Sequence, residues 1–129
     1  MATVLLAEDD PDTTELYTQL LKQSGFDVVV VDSGEKIEEA LSKNNIDIIL
    51  SDTQMPEMDG DVACRKLLEQ GKLENILVIG MSSVIDYSKH WKGIAHEFFY
   101  KPGKRDTLGE AVKNMYAAFS PGQRRYKQF

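Results

Sequence analysis

The stretch IDIILSDTQMPEMDG occupies residues 46–60 and joins an apolar run, residues 46–50, to the acidic residue Asp52 just beyond it. Four further apolar runs lie at residues 4–7, 28–31, 76–81 and 98–100. All but the last run are dense in Val, Ile or Leu and do not alternate with polar residues. Such runs are typical of strands covered on both faces, as in a parallel sheet.

Apolar residues at helical spacing lie between these runs. The first stripe ends shortly before Gly25, which stands where a glycine that caps a helix C-terminus would stand. Residues 105–119 carry the last stripe, and residues 86–93 predict only a short helix. The stripes are Leu16, Leu20 and Leu21; Ile37, Ala40 and Leu41; Val62, Leu67 and Leu68; and Leu108, Val112, Met115 and Phe119. Strand and helix alternate five times, which predicts an α/β domain with a five-stranded parallel sheet, helices on both faces and right-handed crossovers.

Composition excludes several classes of function. The chain has 129 residues, with 15 basic and 21 acidic side chains and a net charge of −6, which disfavours binding to nucleic acid or to an anionic membrane surface. The single cysteine excludes intrachain disulfides and a multi-cysteine zinc site. The sequence shows neither a signal peptide nor an apolar run of the roughly 18–20 residues that span a bilayer. We therefore expect a cytoplasmic protein.

The domain is predicted to span residues 1–119, followed by a basic C-terminal tail at residues 120–129. This tail contains Arg124, Arg125 and Lys127 but no acidic residue. A frayed terminus is the simpler interpretation. A docking segment or the start of a linker is the alternative.

Polar side chains follow the ends of four predicted strands. Glu8 and Asp9 follow the first strand, Asp52 the third, Ser82 the fourth and Lys101 the fifth. Because the carboxyl ends of parallel strands meet at one edge of the sheet, we expect these groups to converge there. Crowded carboxylates favour a hard cation such as Mg²⁺. With a lysine and a hydroxyl nearby, the set suits phosphoryl transfer to a carboxylate nucleophile.

Acidic residues at strand ends often have a simpler role as helix N-caps. Asp10, which precedes Pro11, has the sequence context of such a cap. The same interpretation could apply to any single acid of this group, but the features fall at the ends of four different strands. Their joint occurrence favours a functional site.

The sequence resembles the receiver domains of bacterial two-component response regulators over residues 2–119. The resemblance implies a flavodoxin-like fold with the sheet order 2-1-3-4-5. Four segments carry it: VLLAEDD at 4–10, DIILSDTQMPEMDG at 47–60, ILVIGMSS at 76–83 and FFYKP at 98–102.

The resemblance also implies a role for each residue at the sheet edge. Asp52 would be the phosphorylated residue. Mg²⁺ would be bound by Glu8, Asp9 and Asp52 together with the backbone carbonyl of Gln54, with Asp9 as a direct ligand and Glu8 acting through water. A sensor histidine kinase or a histidine phosphotransfer protein would supply the phosphoryl group, and the output would be binding to a downstream protein target that the sequence does not identify.

Further implied roles concern the switch. The Ser82 hydroxyl and Lys101 would hold the phosphoryl group, and Phe98 would move into the space that Ser82 leaves. The peptide between Lys101 and Pro102 would be cis. The spacing of 19 positions from Ser82 to Lys101 is about one helical turn shorter than is common in the family, and the loss falls in the fourth helix or its loops. Within this region Trp91 fits a half-buried position and a partner-facing one equally well.

Three alternatives stay open at this stage. The chain could be a receiver domain taken from a longer response regulator, with the tail as the start of a linker. It could be a phosphatase that uses an aspartyl-phosphate intermediate, although position 54 then needs an acid and holds Gln54. A flavin-binding domain of the same topology would need a phosphate-binding loop after the first strand, where the sequence is acidic.

Overall fold

The computed structural model describes residues 1–101 and 107–120. Its five strands pair in parallel in the order β2-β1-β3-β4-β5, which confirms the predicted sheet and its order. Each predicted strand lies within two residues of the observed one. The strands are β1 (Thr3–Ala7), β2 (Asp27–Val31), β3 (Ile48–Asp52), β4 (Leu77–Ser82) and β5 (Glu97–Tyr100).

The described part of the chain contains four α-helices and two 3-10 helices, and all but the last α-helix connect strands. The α-helices are α1 (Pro11–Gln23), α2 (Ile37–Lys43), α3 (Gly60–Glu69) and α4 (Leu108–Ala118). One 3-10 helix, Gly34–Lys36, leads into α2, and the other, Ile85–Trp91, stands between β4 and β5 and is called the 3-10 segment below. Over residues 1–101 and 107–120, no helix combines the length and apolarity that crossing a bilayer requires.

Some predictions fall on residues that the structure does not describe. These are the start of the last helix at residue 105, the geometry of the Lys101–Pro102 peptide and nearly all of the basic tail. The described part of that helix runs from Leu108 to Ala118.

Helix α1 shows how local sequence sets an element boundary. The Asp10 side chain accepts hydrogen bonds from the backbone N–H and the hydroxyl of Thr13, at 2.9 and 2.6 Å, and Pro11 opens the first turn. At the other end Gly25 adopts φ +96°, a conformation that a side chain disfavours. The predicted N-cap and C-terminal glycine are thus both confirmed.

The sheet separates two apolar layers, as alternation along the strands requires. One layer, beneath α2, α3 and the 3-10 segment, includes Leu5, Ile49, Val78, Cys64 and Trp91. The other, beneath α1 and α4, includes Leu6, Leu50, Ile79, Tyr17 and Val112. Helices therefore cover both faces of the central strands, as the uninterrupted apolar runs predicted.

Strand β2 departs from that prediction. It pairs only with β1 at the edge of the sheet, and its side chains are partly or fully exposed. Val30, for example, is 42% exposed. The apolar composition of β2 predicted burial on both faces, but an edge strand has a neighbour on only one side and less helix surface above it.

The 3-10 segment packs through one large side chain. Trp91 is fully buried, so the partner-facing interpretation of this residue is wrong. Its indole ring lies directly over Gly80 of β4, where a Cβ atom would overlap the ring. The glycine within the strand is thereby explained, since a residue with a side chain would push the indole away from the sheet.

We expect Gly80→Ala to lower the free energy of unfolding by about 1–3 kcal/mol, because the added methyl group overpacks the contact with the indole of Trp91. Urea unfolding followed by circular dichroism measures the change. Ser83→Ala, at an exposed position beyond the same strand, serves as the control and should stay within about 0.5 kcal/mol of the wild type. Equal stability of Gly80→Ala and the wild type would contradict this packing.

Candidate functional site

The strand ends bring three carboxylates together. Glu8 and Asp9 directly follow β1, and Asp52 ends β3, the neighbouring strand in the sheet. One carboxylate oxygen from each residue lies within 4.8 Å of the others. Glu8 is 1% exposed and Asp52 is 8% exposed, whereas Asp9 faces solvent. An all-oxygen cluster with one exposed member fits a hard divalent cation that keeps part of its water shell.

Lys101 follows β5, which lies two strands away from β3 in the sheet, and its side chain reaches the buried carboxylates. Its Nζ donates to Glu8 Oε1 at 2.7 Å and to Asp52 Oδ2 at 3.1 Å. Its backbone N–H donates to the Ser82 carbonyl at 2.9 Å, which extends the pairing of β4 and β5 up to the site. The ammonium group therefore partly balances the charge of two acids that would otherwise repel each other in a buried position.

Glu8 is fixed in orientation by two partners. Its second oxygen, Oε2, accepts the backbone N–H of Asp10 at 3.1 Å, while Oε1 accepts from Lys101. Asp9 projects into solvent beside it. Asp9 is therefore the acid of this pair that can approach a cation without first giving up a protein partner.

Burial and charge shift the pKa values of the site. Burial, and then repulsion from Glu8, raise the pKa of Asp52 from its ordinary 3.8 to about 6, although Lys101 and the Thr53 N–H at 3.0 Å act in the opposite direction. Burial lowers the pKa of Lys101, but the hydrogen bond to Glu8 and the charges of Glu8 and Asp52 outweigh it and leave a net increase. Lys101 is thus held in its charged form.

The loop after β3 is shaped by close backbone contacts. Gly60, at the start of α3, donates its N–H to the Thr53 carbonyl at 2.8 Å. A Cβ atom at Gly60 would overlap the Asp52 carbonyl and the Ser51 hydroxyl. The glycine of the DIILSDTQMPEMDG segment is therefore required for α3 to begin directly beside the phosphoacceptor position predicted from the sequence.

The loop after β3 is also hydrogen-bonded to the 3-10 helix that leads into α2. Gly34 donates its N–H to the Met58 carbonyl at 3.0 Å, and Asp59 Oδ1 accepts from the Met55 N–H at 3.3 Å. Glu57 adopts φ +68° between them, which is uncommon for a residue with a side chain. These contacts hold the loop close to the carboxylates.

The remaining predicted residues lie at different distances from the cluster. Ser82 is buried at the end of β4, next to Met81, the register partner of Asp52, and its Oγ accepts the Val84 N–H at 2.9 Å. Gln54 is exposed in the loop after β3. Phe98 is half-buried on β5. The structure thus brings Glu8, Asp9, Asp52 and Lys101 together, places Ser82 at the adjoining strand end and keeps Phe98 further from the edge.

The sequence analysis missed the contribution of Thr53. Its hydroxyl donates to the Met81 carbonyl at 2.8 Å and accepts from the indole Nε1 of Trp91 at 2.8 Å. Thr53 is 2% exposed, so this polar group is satisfied entirely within the protein. The one available signal was indirect, since Gly80 within a strand indicated a close neighbour, but nothing in the sequence named Trp91 as that neighbour.

An open cleft of ≈ 430 Å³ leads to Lys101. It runs along the first turns of α1 and past the end of β4. Its lining residues are Asp10, Asp12, Thr13, Leu16, Tyr17, Ser83 and Lys101. The cleft therefore gives an outside group access to Lys101.

A family model described as the response regulator receiver domain matches residues 4–113. The chain is 30% identical over 124 residues to the response regulator receiver protein CpdR of Brucella abortus, with 92% of this chain and 100% of CpdR covered. It is 32% identical over 111 residues to the C4-dicarboxylate transport transcriptional regulatory protein DctD of Pseudomonas aeruginosa, with 85% of this chain and 24% of DctD covered.

Among solved structures, the signal receiver domain of a signal transduction histidine kinase from Syntrophus aciditrophicus aligns over 100% of both chains, with a TM-score of 0.82 and 30% identity. The chain belongs to the family of response regulator receiver domains, signalling modules of two-component systems. It spans half or less of the length of the first curated relatives it matches.

The raised pKa of Asp52 predicts a pH-dependent stability in the metal-free protein. Because the folded state holds this proton more tightly than the unfolded state, Asp52 favours folding most below pH 3.8, and this contribution is lost as the pH rises through about 6. We expect Asp52→Asn to raise the free energy of unfolding by about 1–3 kcal/mol at pH 7.5 and to have much less effect at pH 4.

Urea unfolding of both proteins in the presence of a chelator, at several pH values between 4 and 7.5, measures this difference. Asp86→Asn, which removes an exposed acid of the 3-10 segment, serves as the control. A gain in stability of Asp52→Asn that stays constant over the whole pH range would contradict the shifted pKa.

Proposed function

We propose that this domain accepts a phosphoryl group on Asp52 in the presence of Mg²⁺ and thereby switches a protein-binding surface. A sensor histidine kinase or a histidine phosphotransfer protein would be the donor. The main support is the position of Asp52, a buried carboxylate held between the ammonium of Lys101 and the acids that follow β1. Membership of the receiver family supports the same chemistry.

In this proposal an oxygen of Asp52 attacks phosphorus, and the P–N bond of the phosphohistidine donor breaks as the P–O bond forms. The imidazole leaves with the bonding electron pair, and the product is an acyl phosphate. Bound at Glu8, Asp9, Asp52 and the Gln54 carbonyl, Mg²⁺ would supply positive charge to the phosphoryl oxygens. Asp52 is mostly ionised at pH 7 or above, because its pKa lies near 6.

Lys101 is placed to act on the same oxygens. Its ammonium group forms ion pairs with both Glu8 and Asp52. Once a phosphoryl group adds negative charge at Asp52, the flexible lysine can follow that charge and bind one of the new oxygens. Charge neutralisation by a group that is already in place requires little reorganisation.

The switch would begin at Ser82. Its Oγ now accepts from the Val84 N–H at 2.9 Å, and turning toward a phosphoryl oxygen would weaken that bond. Phe98 would then move inward, and the surface formed by the 3-10 segment and β5 would change. Both states exist before phosphorylation in such a mechanism, and the new charge shifts their populations.

The relatives differ in how much additional chain accompanies the matched receiver domain. CpdR matches this chain over its whole length, whereas DctD extends far beyond the match. We propose that the domain acts through its own surface on a protein target, and a receiver that forms part of a longer regulator would use the same surface. The phosphatase alternative is disfavoured, since position 54 carries an exposed amide rather than an acid. The cytoplasmic location stays a prediction.

We expect incubation with acetyl phosphate and Mg²⁺ to add one phosphoryl group to the wild type, as measured by intact mass. Labelling should fall by at least about 100-fold in Asp52→Asn, because the amide that replaces the Asp52 carboxylate is not a nucleophile that forms an acyl phosphate. Asp86→Asn is the matched control and should label like the wild type. Unchanged labelling of Asp52→Asn would overturn the proposal.

Mg²⁺ should stabilise the wild type, because a divalent cation relieves repulsion among the three carboxylates. We expect Asp9→Asn to weaken the apparent Mg²⁺ affinity by about 10-fold or more, since Asp9 is the acid most free to coordinate directly. Thermal unfolding across a Mg²⁺ titration measures both effects. The prediction is wrong if Asp9→Asn and Asp86→Asn respond to Mg²⁺ in the same way as the wild type.

A further inference from the structure

Hydrogen bonds fix the 3-10 segment to the sheet at both ends. Just before its start, the Val84 N–H donates to Ser82 Oγ at 2.9 Å. At its end, the indole N–H of Trp91 donates to Thr53 Oγ1 at 2.8 Å. Ser82 is the hydroxyl proposed to bind the phosphoryl group, and Thr53 directly follows Asp52. Both attachments therefore involve residues that phosphorylation of Asp52 would disturb.

Thr53 connects three parts of the molecule. Its backbone N–H donates to Asp52 Oδ1 at 3.0 Å, and its hydroxyl donates to the Met81 carbonyl at 2.8 Å while it accepts from Trp91. The hydroxyl proton has one partner, so the group cannot turn without losing the bond to Met81. A change in the Asp52 carboxylate is thus passed by direct contact to the residue that holds the indole.

The indole lies on the face of the sheet that Phe98 also occupies. Phe98 is the register partner of Gly80, so the two residues point to the same face of the sheet. Trp91 covers Gly80 on that face, and Phe98 packs against the apolar cluster that contains Trp91. An inward turn of Phe98 over Gly80 requires Trp91 to move first.

We propose that Trp91 is a latch. Bonded to Thr53 and seated over Gly80, its indole holds the 3-10 segment in the unphosphorylated arrangement, and phosphorylation of Asp52 releases it. The exposed side chains at the start of the segment, Val84 at 43% and Ile85 at 62%, then change position together with it. Trp91 is a positioning residue in this scheme, because it acts on Asp52 only through Thr53. The inference rests on the proposed function.

The protein contains a single tryptophan, so tryptophan fluorescence reports on Trp91 alone. After labelling with acetyl phosphate and Mg²⁺, we expect the emission maximum to shift to longer wavelength and the acrylamide quenching constant to rise at least about twofold as the buried indole is released. Asp52→Asn should show neither change. Intact mass of the same samples reports the phosphoryl adduct independently of the fluorescence.

The two readouts separate the possible failures. A complete adduct with unchanged emission and quenching would overturn the latch and leave the proposed function standing. Absence of an adduct would overturn the proposed function, and the latch with it. A fluorescence change that also occurs in Asp52→Asn would overturn the latch, because release would then not depend on phosphorylation.

Substitutions at Thr53 test the hydrogen bond itself. Thr53→Val keeps the shape of the side chain but removes the acceptor, so we expect stronger quenching without any phosphodonor and labelling about 2- to 10-fold faster, the population shift that one hydrogen bond commonly provides. Thr53→Ser keeps the hydroxyl and should be labelled at the slower rate of the wild type.

Trp91→Phe removes the indole N–H but retains an aromatic ring, and it should accelerate labelling to a similar extent. Trp91→Phe replaces Thr53→Val in this experiment if circular dichroism shows that Thr53→Val does not fold. A purely structural role would lower the melting temperature of these variants without changing the labelling rate per folded molecule. Wild-type rates in the folded variants would overturn the latch.

Discussion

The site depends on the balance of charge between one ammonium group and two buried carboxylates. Glu8 and Asp52 lie at the ends of neighbouring strands, where the Nζ of Lys101 contacts them at 2.7 and 3.1 Å and offsets their negative charge. Lys101 reaches them from β5, across β4. The relative register of four strands is therefore linked to a single set of contacts, because a slip of one residue would turn any of these groups to the opposite face.

The same balance explains why the site suits a bound cation. Burial and Glu8 raise the pKa of Asp52 to about 6, so the ionised carboxylate is less stable here than in water. A cation at the exposed Asp9, or movement of Lys101, can compensate for charge that is added at Asp52. The site therefore carries an excess of negative charge that a bound cation would relieve.

Much of the fold and of the site was predictable from sequence, because both follow from local patterns. Apolar runs located every strand to within two residues, and Asp10 and Gly25 marked the ends of α1. The order of the strands came from the resemblance rather than from periodicity. Once the sheet was parallel, its carboxyl edge had to gather the residues after each strand, and the observed cluster of Glu8, Asp9 and Asp52 with Lys101 follows from that geometry alone.

What could not be predicted depends on contacts between residues far apart in sequence. Thr53 and Trp91 are 38 positions apart, and no spacing rule connects them. Their relation is nevertheless physically constrained. A 3-10 segment of seven residues offers no long apolar face, so one large side chain, Trp91, covers β4 beneath it. The indole ring fits there because position 80 of β4 is a glycine. The indole N–H then needs a buried acceptor, and the side chain after Asp52 provides it. The seven-residue segment, Gly80, Trp91 and Thr53 thus form one set of dependent features, which places a buried hydrogen bond directly beside Asp52.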